Sequence, residues 1–340
     1  RDRIRGAMIG CAAGDALGYP VKVLSEATIV ERYGLRGITD YDLDENGTAR
    51  ITADTQLMLL SANGILFAHT RGALRGIMAP VYQYFDAFYM NWYRLQTTER
   101  ASRSRVGWIN AYPALSAKRA PSPTVMEVAA TKKFGSMDEP VNDSKGSACL
   151  LRAVPIGLSY SRAEAVNKTL KALDKSFPDS STVVYELSRT IRSAVSLASS
   201  ASSDLDAIHA LGKGWVADEA LAIGILCALR HENDIAGAMT FAANHGGNSN
   251  ATAAIAGMLV GARIGFNAIP DRFVDRLELV DVILELADDV TTDCPMSDWG
   301  PSNPVWEHKY IHSDYAYWRR RTPEAKEDKE DKEGEAKQTD

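Results

Sequence analysis

The sequence predicts an all-α fold, a compact helical domain, and three observations favour it. Apolar residues recur at helical spacing in most segments; in the segment after Thr52, this spacing is kept by Leu57, Leu60, Ile65 and Ala68. Few segments alternate with the period of two that is typical of strands. Glycines recur at intervals of four in two segments, which indicates helices that cross closely: Gly6, Gly10 and Gly14, and Gly257, Gly261 and Gly265.

The helical segments follow one another along the chain. Thr52 or Asp54 is expected to cap the helix that follows it. One later helix is predicted to start near Ser144 (GSACLLRAVPIGL). Two more are predicted to end at about Ser200 and near His231. Three others are predicted over 235–246, 249–266 and 273–290. Residues 22–51 and 95–124 are predicted to be irregular, and 291–321 to form an extended arm packed on the body.

Composition and charge limit the domain organisation and the partners. The 340 residues carry a formal charge of −6, which argues against a general nucleic-acid binder. Residues 323–340 hold eight acidic residues and four lysines, so we expect one domain over 1–321 and a charged, disordered tail over 322–340. No apolar stretch reaches membrane-spanning length.

The cysteines indicate a reducing compartment. Cys11, Cys149, Cys227 and Cys294 lie far apart in the sequence and lack the spacing of a zinc site. We expect the first three to be small core residues, and a cytoplasmic location. The oligomeric state is left open by the sequence.

Five motifs combine glycines with polar residues near predicted helix ends. They are GDALG (14–18), TADTQ (52–56), NDSKG (142–146), DEALAI (218–223) and HGGNSNATAAIAG (245–257). In this order they resemble the ADP-ribosylglycohydrolases, and the resemblance covers residues 3–290. It implies a compact all-α fold with a central cleft, two bound Mg²⁺ ions, and hydrolysis of the bond that links ADP-ribose to a side chain or another acceptor.

The sequence departs from this family at the expected metal ligands. Thr52-Ala53-Asp54 stands where relatives have Thr-Asp-Asp, and residues 248–251 read Asn-Ser-Asn-Ala where Asp-x-Asp-Thr is expected. Lys22 stands near an expected glutamate. Among the expected metal ligands, three carboxylates and one hydroxyl are missing, which leaves too little negative charge for two Mg²⁺ ions. We therefore expect no metal and no cofactor.

The remaining polar residues suggest metal-independent acid/base chemistry on a small molecule in the cleft. The candidate catalytic residues are Asp54 as acid or base, Lys22 as electrostatic clamp or base, and Glu219 near a helix start. The candidate substrate-binding residues share a position at motif ends: Thr52, Asp143, Lys145, His245, Asn248, Ser249 and Asn250.

Most of these residues also have a structural interpretation. In this interpretation Asp15 and Glu219 cap helices, and Asp143 fixes a loop. Lys22 is then a solvent-facing lysine, and His245 is a buried structural histidine. Three functions therefore stay open. They are a repurposed lyase, dehydratase, cyclase or glycosidic enzyme, an inactive protein that binds ADP-ribose, and a residual Mg²⁺-dependent hydrolase.

Overall fold

The computed structural model describes residues 1–77, 80–97, 106–133, 135, 139–159, 181–296 and 302–321, except for the side chains of 181–186. These residues form fifteen α-helices. Pairing of the β type is limited there to two isolated bridges, Ala49 with Leu277 and Gly146 with Val216. The prediction of an all-α fold is confirmed.

The helices run in the following order: α1 Asp2–Gly18, α2 Glu26–Tyr33, α3 Ala53–Arg75, α4 Val81–Thr97, α5 Pro113–Ser116, α6 Pro123–Thr131, α7 Cys149–Ser159, α8 Ser181–Ala198, α9 Asp204–Leu211, α10 Ala217–Arg230, α11 Ile235–Ala243, α12 Ser249–Ile264, α13 Val280–Thr292, α14 Pro304–Tyr310 and α15 Tyr315–Arg321. Short 3₁₀ helices lie at Tyr19–Val21, Trp108–Ala111, Phe266–Ala268 and Asp271–Phe273.

The chain divides into two compact units. The first contains Arg1–Ala62 and Lys118–Thr291, and the second contains Asn63–Ala117 and the described residues from Thr292 onward. Helix α3 contributes residues to both units. One domain over 1–321 stays a prediction.

Helices α1 and α12 pack together through their glycines in the first unit. A Cβ on Gly10 would lie 2.2 Å from the carbonyl oxygen of Gly257, and one on Gly6 would lie 2.2 Å from that of Gly261. One on Gly18 would lie 2.3 Å from the carbonyl oxygen of Ser249. As the residue number increases along α1, the number of the facing residue on α12 decreases. The helices are antiparallel, and the end of α1 lies against the start of α12.

Helix α3 begins where the sequence predicts it. The hydroxyl oxygen of Thr52 accepts a hydrogen bond from the N–H of Asp54 at 3.1 Å, so Thr52 is the capping residue. The four apolar residues predicted to face the core are all buried: Leu57, Leu60, Ile65 and Ala68. The cap places Asp54 in the first helical turn.

Aromatic side chains form the core of the second unit. Phe67 on α3 contacts Phe88 on α4, with their ring centroids 5.7 Å apart. The indole N–H of Trp306 on α14 donates to the hydroxyl of Thr70 at 2.8 Å, in a buried contact. Tyr315 on α15 meets the ring of Trp108 at 5.4 Å. These contacts fix α14 and α15 within this unit.

The predicted extended arm over 291–321 differs from the structure, because 304–310 and 315–321 are helical. Asn303 caps α14 by accepting from the N–H of Trp306, and Pro304 occupies its first position. The predicted tail over 322–340 lies outside the described residues.

Other predictions about elements were wrong in detail. Helix α2 lies within the segment predicted to be irregular, and Ser25 caps it by accepting from the N–H of Thr28. Helix α7 begins at Cys149 rather than near Ser144, because the side chain of Asn142 bonds the N–H of Ser144 in a turn. Cys149 is exposed rather than in the core, whereas Cys11 and Cys227 are buried.

Further differences concern helices that the sequence did not predict or that start later than predicted. Helices α4, α6 and α9 were not predicted, and α5 and the start of α6 lie inside the segment 95–124. Helix α13 begins seven residues after the predicted start, because a 3₁₀ turn at Asp271–Phe273 precedes it. Among the described residues, no helix combines the length and the apolar character needed to cross a bilayer.

Candidate functional site

Asp15, near the end of α1, binds the start of α3. Its Oδ2 accepts from the N–H of Thr52 at 2.8 Å and from the hydroxyl of Thr55 at 2.6 Å. Its Oδ1 accepts from the Thr52 hydroxyl at 2.9 Å and from the Asn250 amide at 2.9 Å. A carboxylate has about four lone-pair positions, so its acceptor capacity is filled. Asp15 is thus a buried structural anchor.

Asp54 lies beside this anchor and is itself largely buried, with 9% of its surface exposed. Its Oδ2 accepts a hydrogen bond from the side-chain amide of Asn250 at 3.2 Å. The same amide group donates to Asp15. Asn250 therefore bridges two carboxylates, one from α1 and one from α3, from its place in the first turn of α12.

The pKa of Asp54 is raised from its ordinary value of 3.8 to about 6, and burial is the largest cause. The negative charge of Asp15 contributes to the rise, because ionising a second carboxyl nearby is unfavourable. The positive charges of Lys22 and Arg152 and the hydrogen bond from Asn250 act in the opposite direction and limit the rise. Asp54 can therefore give or take a proton close to neutral pH.

Asn248 is the capping residue of α12 and joins two loops. Its amide donates to the hydroxyl of Ser147 at 2.6 Å and to the carbonyl of Gly214 at 3.1 Å. Its Oδ1 is buried without a hydrogen-bond partner, and so is the Oδ1 of Asn250. Ser249 is fully buried, and its hydroxyl reaches only the carbonyl of Gly247, at 3.5 Å.

Glu219 is bound to the loop that precedes its own helix. Its Oε2 accepts from the backbone N–H groups of Lys213 and Gly214 at 3.1 and 3.0 Å. A Cβ on Gly212 would lie 2.4 Å from the Glu219 carboxyl carbon, so the side chain fills this turn. These contacts favour the structural interpretation of Glu219 that the sequence left open.

His245 is buried, with 1% of its surface exposed. Its Nε2 lies 3.0 Å from the hydroxyl of Thr252, which donates its own proton to the carbonyl of Ala242 at 2.6 Å. Nε2 therefore carries the proton, and Nδ1 is left without a partner. Burial lowers the pKa of His245 from 6.5 to about 4, so the ring is neutral at physiological pH.

The structure thus brings some predicted residues together and leaves others apart. Thr52, Asp54 and Asn250 meet around Asp15, and the charge of Lys22, which is half-buried, acts on Asp54. Asp143 and Lys145 are exposed in the loop before α7, where the Lys145 carbonyl accepts from the N–H of Ala217. Among the described contacts, neither side chain reaches Asp54.

A model of the ADP-ribosylglycohydrolase family matches residues 1–172 and 161–299 of the chain. The chain belongs to the ADP-ribosylglycohydrolase family. A solved "ADP-ribosylglycohydrolase-related protein complex" has a similar fold, with a TM-score of 0.52 and 22% identity, and the match covers 86% of this chain and 97% of that one. No curated protein is significantly similar to the chain.

Membership of the ADP-ribosylglycohydrolase family agrees with the five motifs, which all lie in the first unit. GDALG ends α1, TADTQ begins α3, and the histidine-glycine motif leads into α12. NDSKG forms the loop before α7, and DEALAI lies in α10. Three of these segments supply the side chains around Asp54.

Sequence reasoning missed two residues at this site. Ser147 binds Asn248 although 101 positions separate them, and no local pattern indicates that contact. Arg152 contributes positive charge at Asp54. The signal that would have indicated Arg152 is its charge within the otherwise apolar helix α7, which follows the NDSKG motif.

Proposed function

We propose that this member of the ADP-ribosylglycohydrolase family carries out metal-independent acid/base chemistry on a small molecule, with Asp54 as the group that transfers the proton. The observation that carries the proposal is a buried carboxyl whose pKa is about 6, bound by a neutral amide. A group with this pKa is ionised at pH 7 and can act as a base, and it keeps enough of the protonated form there to act as an acid. A lyase, dehydratase, cyclase or glycosidic reaction would use it.

The donor set around Asp54 is a poor match for two Mg²⁺ ions. Mg²⁺ requires six oxygen ligands and their negative charge. The acceptor positions of Asp15 are filled, and Asn250 turns its amide N–H group, a donor, toward Asp54. Among the described residues, no group of three or more His, Cys, Asp or Glu side chains is placed to hold a metal ion. This supports a route without Mg²⁺.

Each residue has a role in the proposed chemistry. Asn250 holds Oδ2 of Asp54, which leaves Oδ1 to exchange a proton with the ligand. Lys22 stabilises negative charge on the ligand as the proton leaves. The buried Oδ1 atoms of Asn248 and Asn250 accept hydrogen bonds from ligand donors once the cleft residues adjust. Thr52, Ser249 and His245 hold these groups in position, and Glu219 positions the 212–214 loop.

A second candidate is an inactive protein that binds ADP-ribose. The observation in its favour is that the side-chain oxygens of Asn248 and Asn250 have no hydrogen-bond partner. These neutral acceptors can bind the hydroxyl groups of a ligand without any reaction taking place. A residual Mg²⁺-dependent ADP-ribosyl hydrolase is less favoured by the donor set. A ligand in a central cleft and a cytoplasmic location stay predictions.

The experiment compares the wild-type protein with Asp54→Asn, an isosteric variant that cannot transfer a proton. Both are freed of metal with EDTA and incubated with a small-molecule extract, and mass spectrometry follows the loss of each compound. We expect a compound that the wild type consumes in EDTA and the variant does not. Consumption that Asp54→Asn retains would contradict the role of Asp54.

The alternatives have their own readouts. ADP-ribose that raises the melting temperature of the protein without being consumed would favour the inactive binder. Release of ADP-ribose from an ADP-ribosylated arginine peptide, restored to the EDTA-treated protein by Mg²⁺ alone, would overturn the metal-independent route. Calorimetric titration of the protein with MgCl₂ measures the affinity for the ion directly.

A further inference from the structure

A cavity lies in the first unit, lined by residues other than those around Asp54. Its volume is about 300 Å³, and it is lined by Asp40, Tyr41, Leu43, Arg272, Asp275 and Arg276. Ligand pockets start at about this volume, so the cavity suits a small molecule. Four of the six lining residues are charged, two of each sign.

The four charges do not neutralise one another. Within the described part of the chain, Arg272, Arg276, Asp40 and Asp275 form no ion pair with each other or with another group. Asp40 uses one oxygen to accept from the N–H of Tyr41, which leaves the other oxygen available. The cavity therefore presents two free guanidinium groups and two carboxylates at once.

The walls of the cavity are held in place by the fold. The guanidinium of Arg272 stacks on the ring of Phe273 at 4.7 Å, and Phe273 is fully buried. The Tyr41 hydroxyl donates to the Phe273 carbonyl at 2.9 Å, and the two rings meet edge to face at 5.5 Å. The carbonyl of Arg276 accepts from the N–H of Ala49 at 2.8 Å. The side chains of Tyr41 and Arg272 therefore lose little entropy when a ligand binds.

We propose that this cavity binds a free α-amino acid. Guanidinium groups form paired hydrogen bonds with a carboxylate, so Arg272 and Arg276 would hold the carboxylate of the ligand. Asp40 and Asp275 would accept from its ammonium group. Tyr41 and Leu43 would contact its side chain. A ligand that carries both charges pairs with all four groups, whereas a ligand with only one charge pairs with two of them.

The test begins with each of the standard L-amino acids at about 10 mM, added singly to the full chain while the melting temperature is measured. We expect at least one to raise it, and calorimetry then gives its affinity. The N-acetyl derivative of that amino acid lacks the ammonium, and its amide derivative lacks the carboxylate. Each should bind about tenfold more weakly or worse.

Variants then locate the site. Arg276→Gln and Asp275→Asn each remove one charge from an exposed side chain, and each should weaken binding of the amino acid about tenfold. Arg263→Gln is the matched control, because Arg263 pairs with Glu232 elsewhere on the surface and its loss should leave the affinity unchanged. Circular dichroism checks that each variant is folded.

Three results would overturn the proposal. The first is that no amino acid raises the melting temperature or gives a heat of binding. The second is that the N-acetyl or the amide derivative binds as tightly as the amino acid itself. The third is that both cavity variants bind the amino acid as tightly as the wild type does. The second result would indicate a site for simple anions or cations, and the third a site elsewhere on the protein.

Discussion

Asp15 and Asp54 are two buried carboxylates that share a hydrogen-bond donor, yet their surroundings differ. Asp15 accepts four hydrogen bonds, from Thr52, Thr55 and Asn250. Asp54 accepts from one side chain and bears the repulsion of its neighbour. The number of donors therefore distinguishes Asp15, which holds two helices together, from Asp54, which has an oxygen free for a ligand.

Replacing Asp15 tests its structural role. In Asp15→Asn, the N–H groups of the new amide would face the N–H of Thr52 and the hydroxyl of Thr55, which are themselves donors. Hydrogen bonds to Asp15 would therefore be lost, at a position that is fully buried. We expect the free energy of unfolding to fall by about 3 kcal/mol. Urea denaturation measures it. Asp143→Asn, at an exposed position, is the control and should change stability by less than about 0.5 kcal/mol. Equal effects of the two variants would contradict the anchor.

The charge of Lys22 at Asp54 can be tested by titration. Lys22 lowers the pKa of Asp54, so Lys22→Met should raise that pKa above about 6. NMR titration of the ¹³C-labelled aspartate carboxyl groups measures the change. The exposed Lys133 supplies a control variant, Lys133→Met, in which the pKa of Asp54 stays the same. An unchanged pKa in Lys22→Met would place the lysine too far away to assist a reaction.

At the scale of elements, the sequence predicts helices well where periodicity and end signals agree. The predicted end of α10 near His231 is one residue from its observed end at Arg230. The start of α12 follows Asn248, as the sequence predicts. The eight residues of α2 are too few for a clear apolar period, although Ser25 followed by Glu26 is a start signal. The start of α7 follows the turn in NDSKG, whose Asn, Asp, Ser and Gly are typical turn residues, and the prediction extended the helix into this turn.

The contact between α1 and α12 depends on the absence of side chains. A Cβ on Gly10 would overlap the backbone of Gly257 at 2.2 Å, and a backbone atom cannot move aside as a flexible side chain does. Gly10→Ala should therefore lower the free energy of unfolding by about 3 kcal/mol. Thermal or urea unfolding measures it.

The matched control for that variant is Gly157→Ala. Gly157 lies in helix α7 with nothing within 4 Å of an added Cβ. The substitution should stabilise the protein by about 0.5–1 kcal/mol, because alanine favours the helix. If Gly10→Ala were as stable as Gly157→Ala, close packing of α1 and α12 would not be a source of stability.

At the scale of the whole molecule, the fold class follows from periodicity, whereas the site depends on contacts between distant segments. Asp15 meets Thr52 across 37 positions, and Asn250 meets Asp54 across 196. The motifs identify Asp54 and Asn250 as candidates. They do not indicate that Asn250 bridges two carboxylates or that Glu219 binds its own loop. Those facts depend on how helices pack, which one sequence does not specify.

The stability of the molecule between pH 6.5 and pH 4 depends on two buried groups with opposite effects. The pKa of His245 is lowered from 6.5 to about 4, so on acidification the unfolded chain takes up a proton first and stability falls through this range. The pKa of Asp54 is raised from 3.8 to about 6, so the folded chain takes up a proton first and stability rises. Each effect is about 3 kcal/mol, so in the wild type the two nearly cancel.

Removing either group should reveal its own contribution when the variant is compared with the wild type. In Asp54→Asn the free energy of unfolding, measured against the wild type at each pH, should fall by about 3 kcal/mol between pH 6.5 and pH 4, because the variant lacks the stabilising proton uptake of Asp54. In His245→Gln it should rise by a similar amount. Differences from the wild type remove the effects of other carboxylates, such as Asp288 with its pKa of about 2. The double variant should follow the wild type, and parallel curves for both single variants would show that neither group is buried as described.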